Sequence, residues 1–165
     1  MTLTTHAIVG AAVASFFPQD PALGFTLAFA SHFALDAIPH WDYPIESASI
    51  HPSHGAKMKY DKALLHDFFR IGTDALLGLI LGLAIFATTG NFWIVMLGII
   101  GGMLPDALQF VHIRLKREPL TSLQRFHHFI HKGSEYFNME NHSVVGIISQ
   151  SIFLIAFVFL VKFFV

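Results

Sequence analysis

Apolar residues run in long, nearly unbroken stretches along this chain, separated by short polar turns. The first stretch covers 3–17 and stops at Pro18, Gln19, Asp20 and Pro21. The second, 21–39, opens on a proline, a residue suited to the first turn of a helix. A third begins amphipathically near Asp61 and ends at the Thr88-Thr89-Gly90-Asn91 turn, giving 61–88. A fourth covers 92–112 and a fifth 143–165. A helix needs about 20 apolar residues to cross a bilayer, so stretches two to five qualify and the first is marginal. Between the last two, Leu120, Leu123, Phe126, Phe129 and Ile130 recur at helical spacing over 120–132, which predicts a short amphipathic helix lying in the membrane interface. The expected fold class is all-α. It is a polytopic membrane helical bundle of about five transmembrane helices plus a short cytoplasmic interfacial helix, in one domain over 1–165.

Composition supports this reading. The chain is 54% hydrophobic and only 13% charged, where soluble domains carry about 25% charged residues. A net charge of −1 offers no basic field for nucleic acid, so membrane lipids are the expected partners. With no cysteine, disulfides and thiolate metal sites are excluded. No basic leader with a cleavage site precedes the first apolar stretch, so no removable signal is read. If all five stretches cross, Lys57, Lys59, Lys62, Arg70, Arg114, Lys116, Arg117, Arg125 and Lys132 share the side of the N-terminus, and the other side keeps Lys162. The positive-inside rule makes the first side cytoplasmic and leaves the C-terminus outside. Small residues at Gly10/Ala14, Gly24/Ala28 and Gly78/Gly82 predict close helix crossings.

Eleven histidines in so apolar a chain change the picture. His32, Asp36 and His40 stand at i, i+4 and i+8, along one face near the end of the second helix. Asp36, Asp74 and Asp106 lie about 14 or 15 residues from the outer turns, or about 21–23 Å at 1.5 Å per residue. Three carboxylates on three helices therefore share one depth, a little below the cytoplasmic face of the hydrocarbon. His6 opens the first helix and His142 the fifth, near the same level. Buried carboxylates so close together repel unless a proton, a hydrogen bond or a cation neutralises them. Imidazole and carboxylate together suit a divalent metal, with zinc first and manganese or iron compatible. The expected ligands are His6, His32, Asp36, Asp74, Asp106 and His142. The other reading is a set of helix-end polar groups reaching water.

Around this layer, His127 and His131 stand at i, i+4 on the 120–132 helix, a spacing able to chelate one metal, while His128 faces elsewhere. Either that helix anchors in the interface, or it lids the layer and supplies a ligand or a general acid. His40, His127 and His131 are the expected proton carriers. Asp42 is placed to orient His40, and His66 and Asp67 are candidate outer ligands. His51 and His54 read as solvated loop residues, and His112 as part of a cationic collar.

Thr5-His6 with Gly10, the His32-x-x-x-Asp36 helix, Gly102-Met103-Leu104-Pro105-Asp106 and Asn141-His142-Ser143 together resemble the motifs of small bacterial inner-membrane metal-dependent hydrolases. In that family the H-x-x-x-D helix follows the PD and HS elements and a further acid follows the PD, whereas here the helix precedes both and Gln109 sits nearby. His32, Asp36 and His40 are also similar to the metal-binding helices of zinc-dependent phospholipases C. The resemblance implies a metal-dependent hydrolase in a bacterial inner membrane, acting at the cytoplasmic leaflet on a phospholipid or other amphiphilic ester. The competing expectations are a non-catalytic metal-binding or metal-handling membrane protein, and a structural or assembly protein.

Overall fold

A computed structural model describes residues 1–51, 55–115, 119–136 and 143–164. Among these, six helices form the chain: α1 (Leu3–Ser15), α2 (Pro21–Asp36), α3 (Lys62–Phe86), α4 (Phe92–Leu115), α5 (Leu120–Tyr136) and α6 (Ser143–Phe164). Their boundaries follow local chemistry. The Asp20 carboxylate accepts from Leu23 N at 3.0 Å ahead of Pro21, and Asp61 accepts from Ala63 N at 2.9 Å. Both satisfy amide donors that the first helical turn leaves unpaired. At the turn between α3 and α4, Asn91 Oδ1 accepts from Thr88 N at 2.6 Å and from Thr88 Oγ1 at 3.0 Å.

Three of these helices, α3, α4 and α6, are long and apolar enough to cross a membrane, fewer than the five expected. With 13 and 16 residues, α1 and α2 extend only about 20 and 24 Å, against a hydrocarbon core of about 30 Å. The physical reason for the short α1 lies in its surroundings. It packs against α2, α3 and α4 and, more lightly, against α6, and ten of its thirteen residues are buried. A helix enclosed by other helices has no need to match the bilayer.

In lipid, helices associate through close packing more than through the hydrophobic effect, so small residues line the crossings. A Cβ placed on Gly10 would overlap the carbonyl of Gly98, and one on Gly102 would overlap the carbonyl of His6. Gly78 is also held closely, against Thr4 and Ala7. Ala7, Ala11, Ala12 and Ala14 are fully buried beside Ile8, Val95 and Ile99. The α1–α4 crossing thus runs as an unbroken seam of small residues and ends at His6.

The 41–60 segment contains a short antiparallel hairpin, β1 (Ala48–His51) paired with β2 (Gly55–Met58). It is stitched to the start of α3. Asp67 Oδ2 accepts from Glu46 N at 2.9 Å and Ser47 N at 2.7 Å, and Arg70 Nη1 donates to Pro44 O at 2.7 Å. Trp41 reaches across to α6, where it packs on Gly146 and its carbonyl accepts from Gln150 Nε2.

Candidate metal centre

At one end of the bundle, α1 begins, α2 ends and α4 carries its proline. Asp36, the last residue of α2, is wholly buried there. Its Oδ2 lies 3.0 Å from His32 Nε2, 3.1 Å from His127 Nε2 and 3.0 Å from His131 Nε2. Its Oδ1 lies 3.2 Å from His6 Nε2, 3.7 Å from His40 Nε2 and 2.8 Å from the Met1 nitrogen. Asp106 Oδ1 approaches His32 Nε2 at 3.6 Å and His127 Nε2 at 3.7 Å. His32, Asp36, Asp106 and His127 form one group that could hold a metal ion, and Asp36, His40 and His131 form another.

The separations within the first group carry information. Zinc bonds of about 2.0–2.2 Å place tetrahedral donors about 3.3–3.6 Å apart. The contacts here run from 3.0 to 3.7 Å, with His32 Nε2 3.1 Å from His127 Nε2. His127 Nε2 is also 3.2 Å from His131 Nε2. Imidazole nitrogens this close repel unless something positive lies between them. A proton serves one pair, whereas a cation serves the whole set.

Tautomers point the same way. His32 Nδ1 lies 2.8 Å from the Gly102 carbonyl, so it is the protonated nitrogen that donates there and Nε2 presents its lone pair to the cluster. His40 is set likewise, with Nδ1 donating to Ile38 O at 2.7 Å. Pro105, within α4, lacks the amide hydrogen that would reach the Gly101 carbonyl, one residue before the carbonyl that holds His32. His6, fully buried and stacked on His32 with ring centroids 3.9 Å apart, has no hydrogen-bond partner on either nitrogen.

Of the expected ligands, His6, His32, Asp36 and Asp106 come together, and His142 lies outside the described residues. Asp74 is placed elsewhere. Its carboxylate accepts from Leu3 N at 2.6 Å, Thr4 N at 3.2 Å and Thr4 Oγ1 at 2.6 Å, capping the start of α1. It shares the depth of the cluster but faces a helix end instead. Expected proton carriers His40, His127 and His131 sit inside the cluster. His40 Nδ1 donates to Ile38 O at 2.7 Å, while Asp42 Oδ1 accepts from Tyr43 N at 3.0 Å and its Oδ2 lies 3.6 Å from the Met1 nitrogen. Asp67 is engaged by the loop backbone, and exposed His66 lies 3.4 Å from Arg70 Nη2. His112 contacts Thr121 Oγ1 at 3.2 Å, and His54 lies outside the described residues.

The two readings of the amphipathic helix merge in α5. His127 is buried in the cluster, and Phe126 meets Phe33 of α2 with ring centroids 5.1 Å apart. Phe129 remains 67% exposed on the far side. The helix therefore closes one side of the site and leaves an apolar edge outward. The site is not sealed, since Asp106 and His131 keep 25% and 27% of their side-chain surface exposed.

No protein-family model, no curated protein and no solved structure matches this chain.

Proposed function

We propose that this protein is a membrane-embedded, metal-dependent hydrolase acting at the cytoplasmic leaflet on a phospholipid or other amphiphilic ester. The observation that carries the reading is the four-donor set of His32, Asp36, Asp106 and His127, spaced for a tetrahedral divalent cation and open to solvent beside Asp106. Four protein donors would close a tetrahedral shell, so a reactive water needs a fifth position or the place of Asp106, whose side chain is 25% exposed. Zinc is the first choice for two imidazoles and two carboxylates, with manganese or iron compatible. A cation there supplies Lewis acidity and water acidic enough to react near neutral pH.

The chain's own groups supply the rest. Gly102 O holds His32 in its ligating tautomer, and α5 brings His127 down onto the bundle. Phe126 and Phe129 at the rim give a lipid tail an apolar surface. His127 suits a ligand better than a proton carrier, because its Nε2 lies in the donor set. In this reading α1 and α2 are also within the bilayer, in a bacterial inner membrane with the N-terminal side cytoplasmic.

Purified protein loaded with zinc or manganese in mixed micelles should release product from at least one member of a phospholipid and ester panel. Asp106→Asn should lower that rate by at least about 100-fold, since even outer-shell changes at metal sites cost about 10–100-fold. Fully loaded wild-type protein that hydrolyses nothing in the panel would overturn the proposal.

A further inference from the structure

Asp36 divides its two oxygens between two sets of nitrogens. Oδ2 faces His32, His127 and His131, and Oδ1 faces His6 and His40 as well as the Met1 nitrogen. A single cation bound by His32, Asp36, Asp106 and His127 uses Oδ2, and leaves Oδ1 with the Met1 nitrogen at 2.8 Å and the His6 and His40 rings beside it. On that side His40 is buried, its Nδ1 donates to Ile38 O, and its Nε2 lies 3.7 Å from Asp36 Oδ1. Asp36, His40 and His131 each offer a donor atom within 4.8 Å of the others. His6 completes the wall, fully buried with both ring nitrogens lacking a hydrogen-bond partner and Nε2 3.2 Å from Oδ1.

We propose that a second divalent cation binds between Asp36, His40 and His131, with the Asp36 carboxylate bridging it to the first. This rests on the reading of the first group as a metal site. It also narrows the substrate. Paired cations about 3.5–4 Å apart stabilise both the attacking and the leaving oxygen of an in-line displacement at phosphorus. The substrate class that this pair suits is a phosphate ester with an apolar tail. Water would add to phosphorus as the ester P–O bond breaks, and the leaving oxygen would take a proton.

The test is metal stoichiometry on the purified full chain after manganese loading, by elemental analysis and electron paramagnetic resonance. Wild type should hold two equivalents and show the spectrum of an exchange-coupled manganese pair. His40→Ala/His131→Ala should hold one equivalent with an isolated-ion spectrum. The wild-type spectrum needs no variant, so misfolding of the double variant cannot mask the answer. One uncoupled equivalent in the wild type would overturn the second site and leave the first standing. That result would mean that the Met1 nitrogen alone balances Oδ1. No metal in the wild type would overturn both.

Discussion

Asp36→Asn should strip the protein of bound metal while leaving it folded. Amide and carboxylate are nearly the same size, so the packing at the end of α2 is retained. The negative charge that faces His32, His127 and His131 from Oδ2 is lost, and with it the one group common to both donor sets. Losing an outer partner of a metal ligand already costs about 10–100-fold in affinity, so losing this inner carboxylate should exceed 100-fold. Competition against a chromogenic chelator measures the change. Asp74→Asn is the matched control, because Asp74 lies at the same depth but binds the start of α1. It should keep its metal at wild-type affinity. Equal metal loss in both variants would mean that carboxylates at this depth act generally and that no single site exists.

The second large effect is expected far from any ligand. Gly98→Val should displace α4 from α1, because a side chain at 98 would meet Ala14 and the backbone of Gly10. Overpacking of well-packed interiors costs about 1–3 kcal/mol, and here backbone stands opposite backbone, with no flexible side chain to yield. The seam continues to Gly102, whose carbonyl holds His32 and whose Cα side lies against His6. A shift of the crossing therefore misplaces two nitrogens of the cluster at once. Thermal unfolding in detergent should show a clear fall in Tm, accompanied by weaker metal binding. Gly72→Ala, in open space on α3, should leave metal binding unchanged and should not lower Tm, since alanine suits a helix interior better than glycine. A Gly98→Val protein with unaltered Tm and metal affinity would contradict the packing account.

Much of the site was legible in the sequence because helical spacing is regular. His32, Asp36 and His40 fall on one face by arithmetic, and counting from the outer turns places Asp106 at their level. Depth, however, does not fix rotation about the helix axis. Asp74 has the right depth but turns toward the start of α1, where Leu3 and Thr4 donate to it. Periodicity likewise showed that α5 is amphipathic without saying what its face meets. Contact with the bundle decides this: His127 is buried beside Asp36, and Phe129 stays outward. The span count depended on length alone, and α1 escapes that rule because its neighbours, and not lipid, cover it. A hairpin of two four-residue strands is too short to leave a readable pattern. The Gly102 carbonyl carried no such signal, since a proline at 105 frees the carbonyl four residues back, that of Gly101.

The most direct test of the central claim, that this His/Asp cluster is a metal site, is X-ray absorption at the zinc edge on wild-type protein offered zinc and then washed of excess. The account predicts retained zinc with nitrogen and oxygen neighbours at about 2.0–2.2 Å, imidazole outer-shell scattering and no sulfur. Folded protein that retains no zinc, or zinc surrounded by water oxygens alone, would contradict it.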